Sequence, residues 1–301
     1  MSNINNALSC LFMPSVISDL FKNNKSERII KIFAESNLLK TLDTNLLFKD
    51  FFEYSYKYLL KNYRNEYVFK NAIAEKILIG RHSINSSSLF TEFRVATSKA
   101  DLVIFNGTSH VYEIKTAFDN FDRLLSQIES YKKVFEYVNV VTVESKVNTL
   151  ISLVDDDVGI LILTDKYTIR QLRKPKSGLN HLEQKAIFDI LRRNEYIKII
   201  KHFGFTIPKV PNTKIYSICQ EIFEKLPINK VHKEMLKILK ERRSHKEMGD
   251  FILNIPNSLK VAALEANLSK KQQADFLVLL NQNISEIFSK KDSHVSSVFK
   301  R

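Results

Sequence analysis

The sequence predicts an α/β protein: a mixed sheet flanked by helices, with helical elaborations at the N- and C-terminal ends. Three observations point that way. Between residues 90 and 163, short runs rich in Val, Ile, Phe and Tyr alternate with helical stretches. On either side, apolar residues recur at the three- and four-residue spacing of amphipathic helices. Glycine and proline are scarce, six of each, while 44% of the 301 residues are hydrophobic, so packed elements dominate and a large core can be buried.

Taken in order, residues 1–62 read as helices in which Leu20, Phe21, Ile29, Ile30 and Phe33 mark the helical period. The aromatic-dense run 46–60 suits either a stacking platform for bases or core packing. Residues 63–80 form a helix closed by Gly80 and a following polar run. A strand at 90–95 comes next. Strands at 101–105 and 110–115 are then joined across Asn106-Gly107, a strong hairpin signal. A helix over 118–137 takes its apolar side from Leu124, Leu125, Ile128, Tyr131, Val134 and Phe135. Strands at 138–143 and 158–163 follow, separated by a helical piece around 147–154. Residues 174–178 read as a linker, and from His181 onward short helices are punctuated by Pro208, Pro211, Pro227 and Pro256. The expected organisation is a helical region over 1–62, a core over 63–173 and a basic helical domain over 174–301.

Charge is distributed unevenly along the chain. Residues 1–165 hold 19 Lys and Arg against 20 Asp and Glu, whereas residues 166–301 hold 27 against 13, so the net charge of +13 is wholly C-terminal. Such an excess attracts polyanions through counterion release; the alternative is an AT-rich coding bias with lysines solvating helix faces. In the C-terminal part, Lys233, Lys237 and Lys240 line one side of a helix that reaches Arg243, either to touch phosphates or to face solvent. Cys10 and Cys219 fit neither a disulfide framework nor a zinc site. The first residues lack the basic and apolar segments of a signal peptide, and no apolar stretch approaches 18 residues. A soluble protein of the reducing cytoplasm, with no membrane partner, is expected.

Chemistry concentrates on the hairpin. Metal-assisted phosphodiester hydrolysis needs carboxylates for a hard divalent cation and a nearby positive charge. Asp101 and Glu113 supply the first and Lys115 the second. Glu113 and Lys115 share a strand face, while Ile114 between them points the other way and leaves its carbonyl for a metal. Parity decides the rest. A two-residue loop sets Asp101 opposite Tyr112 and turns Glu113 away, whereas a three-residue loop or a bulge sets Asp101 opposite Glu113. An acidic-x-Lys triplet occurs at Glu113, Glu144 and Glu183, but only the first lies in a hairpin whose other strand opens with an acid. His82 and His110 form no ligand spacing. A glycine-rich phosphate loop and a nucleophile elbow are both lacking, which excludes ATP-driven and hydrolase-fold chemistry.

Glu66 on the first core helix, Asp101 opening one strand, Glu113-Ile114-Lys115 on the next and Gln127-Ile-Glu-Ser-Tyr131 on the following helix resemble the successive motifs of RecB-like nucleases in the PD-(D/E)xK superfamily. The runs 65–71, 91–95, 98–101 and 111–115 also resemble a poorly characterised bacterial family assigned to that superfamily. The resemblance covers about residues 63–165 and departs at Ala100, where the superfamily's name has proline. It implies a restriction-endonuclease-like core and a site for Mg2+ or Mn2+. Asp101, Glu113 and the Ile114 carbonyl would bind the metal, Glu66 would contribute directly or through water, Lys115 would orient the nucleophile and Gln127 would position it. On the helical wheel Ile73 and Ile77 flank Glu66 rather than Glu75, which places Glu66 inward. The function expected is that of a bacterial or phage endonuclease acting on DNA rather than RNA, with defence against foreign DNA as its role by analogy. The alternatives are an RNase toxin and a non-catalytic protein that binds nucleic acid or a protein partner on the same scaffold.

Overall fold

The structure is a computed structural model of the chain. It describes residues 3–23, 27–36, 45–80, 84–266 and 268–289; His82 lies outside these. The chain forms two compact units, one from residues 1–85 together with 245–301, the other from residues 86–244.

Helices carry the first unit. Its opening half holds α1 (Asn3–Leu11), α2 (Pro14–Asn23), α3 (Glu27–Ser36), α4 (Phe48–Asn62) and α5 (Glu66–Ile73). The aromatic run on α4 is core: Phe48, Phe51, Phe52, Tyr56 and Leu59 are buried, and Phe52 packs edge-on against Phe12. A stacking platform is thereby ruled out for these rings. Asn65 caps α5 by accepting from the Val68 amide at 3.3 Å. From Ala74 to Ile79 the helix widens into a π-helix that ends at Gly80.

The second unit is built on a sheet of β1 (Ser88–Val95), β2 (Ser98–Phe105), β3 (Ser109–Ile114), β4 (Tyr137–Thr142), β5 (Gly159–Leu163) and β6 (Ile169–Arg173), lying in that spatial order. The β1, β2 and β3 neighbours are antiparallel, β3–β4 and β4–β5 parallel, and β5–β6 antiparallel. This is the mixed sheet flanked by helices that the sequence predicts. Strand β6 escaped prediction because its sequence, Ile-Arg-Gln-Leu-Arg, alternates weakly and its side chains are largely exposed at the sheet edge.

The helices of this unit are α6 (Leu124–Lys132), α7 (Val147–Leu153), α8 (Gln184–Ile190), α9 (Arg193–His202), α10 (Asn212–Phe223) and α11 (Ile228–Arg242). One apolar cluster joins Phe93, Val103 and Val111 of the sheet to Ile128 and Tyr131 of α6, Phe188 of α8, Ile199 of α9 and Met235 of α11. Residues 174–244 therefore belong with the sheet and do not open a separate C-terminal domain. The expected linker is likewise an ordered strap: the Lys176 amide donates to the Asp157 carbonyl and the Gly178 amide to the Glu136 carbonyl. Pro175 packs so closely on Gly159 that a Cβ there would meet its Cδ at 2.8 Å and Asn139 Oδ1 at 2.4 Å.

The chain then returns to the first unit through α12 (Gly249–Asn254), α13 (Lys260–Ala266), α14 (Lys270–Leu280) and α15 (Ile284–Ser289). Backbone bonds from Phe48 to Gln282 and from Ile284 to Leu46 tie its two halves together. Buried Asn71 adds a second tie, donating to the Asn257 carbonyl at 2.7 Å and accepting from the Val261 amide at 3.0 Å. The expected boundaries near 62 and 173 give way to boundaries at 85 and 244, because the partners of the N-terminal helices lie at the other end of the chain. Among the described residues no single helix is long and apolar enough to cross a membrane; only α1 and α2 taken together reach that length and hydropathy, and they are bent by 48° at the break between them.

Candidate active site on the β2–β3 hairpin

The hairpin turns through three residues, Asn106, Gly107 and Thr108, with Phe105 paired to Ser109. Gly107 holds a φ of 105°, a backbone conformation that favours glycine. The Asn106 amide donates to the Thr108 carbonyl, and the Asn106 side chain accepts from the Thr108 hydroxyl at 2.8 Å. An odd loop sets the parity: Leu102 faces Tyr112, so the next step outward brings Asp101 opposite Glu113.

Glu113, Lys115, Gln127 and Tyr131 then bond one another, beside Asp101. Asp101 Oδ2 accepts from the Ile114 amide at 2.6 Å. Lys115 Nζ donates to Glu113 Oε1 at 2.9 Å and to Gln127 Oε1 at 3.1 Å. From α6, one turn beyond Gln127, the Tyr131 hydroxyl donates to Glu113 Oε2 at 2.8 Å. Glu113 is only 2% exposed, so its charge is held by a cation on one oxygen and a hydroxyl on the other. Burial, followed by the negative charge of Glu113 and its hydrogen bond, pushes the Tyr131 hydroxyl far above the ordinary tyrosine range. Tyr131 is therefore a donor at any physiological pH. Ile114 is buried on the opposite parity, and its amide serves Asp101.

Glu92, which the sequence reading passed over as a site residue, completes the row. Thr91 pairs with Leu102 and Phe93 with Ala100, which sets Glu92 across from Asp101. A Glu92 carboxylate oxygen lies within 4.8 Å of one on Asp101. Glu92 adopts a φ of 53° inside a strand and pairs with Lys99. Consecutive strands thus carry Glu92, Asp101 and Glu113 side by side. The only sequence signal for it was an acid placed symmetrically across the tight turn from Asp101.

Glu66 belongs to the first unit, where it opens α5, pairs with Lys70 at 2.5 Å and leaves its side chain 51% exposed. The buried stripe of α5 runs through Val68, Phe69, Asn71 and Ala72, to one side of Glu66. The π turn from Ala74 also changes the phase that a straight helix would give to Glu75 and Ile77. On α11, Lys233 is exposed and Lys240 half-buried. Lys237 bonds Glu234 at 2.6 Å, and the Arg243 guanidinium lies 5.0 Å from the centre of the Phe90 ring. Two of the four expected phosphate contacts are therefore engaged within the chain. His110 stacks on Tyr137 at 4.6 Å.

Comparison with known proteins adds kinship. Residues 60–268 match the family described as bacteriophage P4 protein cII. Protein cII of Enterobacteria phage P4 is 23% identical over 193 residues, covering 62% of this chain and 71% of its own. A solved protein of unknown function from Silicibacter pomeroyi is 16% identical, covers 46% of this chain and 93% of its own, and has a TM-score of 0.29. The family match spans more than half of the sequence, and the chain belongs to the bacteriophage P4 protein cII family.

Proposed function

We propose that the second unit carries a metal-dependent nuclease centre of the PD-(D/E)xK type, hydrolysing phosphodiester bonds in DNA. The observation that supports this reading above the others is the register that sets Asp101 opposite Glu113, with Lys115 bonded to Glu113 on the same strand. The donor set suits Mg2+ or Mn2+, since it consists of hard oxygens. Asp101, Glu113 and the Ile114 carbonyl would hold the ion, with Glu92 adding a further carboxylate. When bound, such an ion supplies charge neutralisation at the phosphate and a more acidic water. Lys115 orients the water and offsets charge developing on phosphorus, Gln127 holds the Lys115 ammonium in place, and Tyr131 keeps the Glu113 carboxylate fixed. The exposed lysines of the second unit would attract the nucleic-acid backbone. The setting proposed is a phage or its bacterial host, with defence against foreign DNA as the role.

Incubating the purified protein with plasmid DNA and with tRNA, in Mg2+ or Mn2+ and with chelator, tests the reading. Cleavage of DNA that chelator stops is the expected result, and cleavage of tRNA alone favours an RNase. Asp101→Asn should abolish cleavage while leaving folding and nucleic-acid affinity nearly intact, and Lys115→Ala should abolish it with a loss of stability, because buried Glu113 is left without its cation; unchanged cleavage removes the proposed site. A non-catalytic binding protein is the second reading, favoured by one feature: both Glu113 oxygens are already engaged, by Lys115 and Tyr131. Nucleic-acid binding without cleavage in either metal would establish it.

A further inference from the structure

Glu113 is the carboxylate of the acidic row taken furthest out of water, and its counter-charge comes from inside the chain. Its side chain is 3% exposed and that of Lys115 12%, with Nζ and Oε1 2.9 Å apart. Glu92, by contrast, pairs with Lys99 where the two side chains are 33% and 57% exposed. A pair open to water is screened and holds its partners weakly, whereas a buried carboxylate depends on the cation set against it. Lys115 is held there from two sides, since Gln127 Oε1 accepts a second bond from its Nζ at 3.1 Å. The Tyr131 hydroxyl occupies the other Glu113 oxygen at 2.8 Å.

Charge balance sets lysine and metal against each other. Asp101 and Glu113 together carry two negative charges, and the Lys115 ammonium balances one of them. A divalent ion on the same two carboxylates balances both. The ammonium is then a surplus positive charge beside a dication, with little water to screen the repulsion. Lys115 must in that case release Glu113. Gln127 bears no charge and can keep its bond to Nζ throughout. The N–H given up by Glu113 is thereby turned to a water or a phosphate oxygen.

We propose that Lys115 and the divalent ion compete for Glu113, so that the lysine is released towards the phosphate only when the ion is seated, with Gln127 as the pivot. The inference rests on the nuclease reading for the seat of the ion, and its test separates the two.

Mn2+ binding to the full-length protein, read from the paramagnetic resonance signal of the free ion, is compared at fixed pH among the unaltered chain, Lys115→Met and Lys99→Met. A close cation changes a carboxylate's affinity for a positive partner by roughly 10- to 1,000-fold, and Lys115→Met should bind Mn2+ tighter by such a factor. Lys99→Met removes the same charge from the exposed pair and should tighten binding by at most about fivefold. Because Lys115→Met leaves Glu113 buried without its cation, a second measurement uses the unaltered chain. Brief acylation with acetic anhydride is read by mass spectrometry at Lys115 relative to exposed Lys233. Modification of Lys115 should rise several-fold between chelator and saturating Mn2+, and this result decides alone where Lys115→Met does not fold. Equal or weaker Mn2+ binding by folded Lys115→Met, equal tightening in Lys99→Met, or unchanged modification of Lys115 overturns the competition. If the unaltered protein cleaves DNA in Mg2+ and any of these results is found, the inference fails and the nuclease reading stands. If Lys115 and Mn2+ compete as expected and no nucleic acid is cleaved in either metal, the competition stands and the nuclease reading fails.

Discussion

Replacing Tyr131 with Phe probes the joint between α6 and the acidic row with little change in shape. The Tyr131 ring is fully buried, and its hydroxyl is 2.8 Å from Glu113 Oε2. Tyr131→Phe keeps the ring and its packing, so the cavity cost is small and the loss is that of one hydrogen bond to a buried charge. Such bonds contribute about 1.5–3 kcal/mol, and the carboxylate left behind cannot turn to water because it is buried. The expected cost, read by urea unfolding followed by circular dichroism, is therefore about 1.5–3 kcal/mol. A double-mutant cycle with Glu113→Gln should show the two changes to be non-additive. A second signature lies at alkaline pH. Burial and the Glu113 charge raise the folded hydroxyl's proton affinity above that of the unfolded chain. Its contribution is thus complete below about pH 10 and is lost above it, at about 1.4 kcal/mol per pH unit, because the unfolded chain releases the proton first. Tyr131→Phe should lack that increment. A variant within about 0.5 kcal/mol of the unaltered protein, with the same alkaline slope, would refute the reasoning.

Three further outcomes are expected. Burial lowers the proton affinity of His232, against the opposing pull of Glu136, and its Nε2 lies 2.9 Å from Ser109 Oγ. The unfolded chain therefore takes up the proton first as pH falls below about 6.5, stability declines there, and His232→Gln should flatten the urea midpoint between pH 7.5 and 5.5. Gly159→Ala drives a methyl group into Asn139 and Pro175 and should cost about 1–3 kcal/mol in the same assay, and an unshifted midpoint would show that the strap yields. Burial raises the Glu195 carboxyl, but hydrogen bonds from Arg242 and the Arg192 amide outweigh it and hold the group below its ordinary range. Removing the guanidinium with Arg242→Met should cost about 3–5 kcal/mol near neutral pH, and less as acidification through the folded Glu195 value neutralises the carboxylate.

The hairpin was legible because strand periodicity is strict. Once an odd loop is granted, a period of two leaves Asp101 no place except opposite Glu113. Helix α6 was legible in its middle, where Leu124, Ile128 and Tyr131 repeat, but not at its start. The expected beginning at 118 fails because Asp119 spends its carboxylate on Thr116 and closes a turn instead. Glu92 was hidden for a similar reason: its left-handed backbone angle inside a strand is imposed by its neighbours and has no signature in composition. The unit boundaries depend on contacts between residues more than 200 positions apart, such as Leu47 with Asn283. Local pattern carries no trace of these. The amphipathic helices after residue 178 showed an apolar face correctly and gave no sign that the sheet would cover it.

One unit is interrupted in sequence by the other, and this orders events during synthesis. Residues 86–244 can close their sheet and helices as soon as they clear the ribosome, since every strand partner lies within that stretch. The N-terminal helices must wait with their apolar faces uncovered until the last fifty residues emerge, because Phe48 and Asn71 find their backbone partners only there. Ribosome-bound chains halted before residue 245 should therefore protect the inner segment from protease while their first eighty residues remain open to cutting and to chaperone capture.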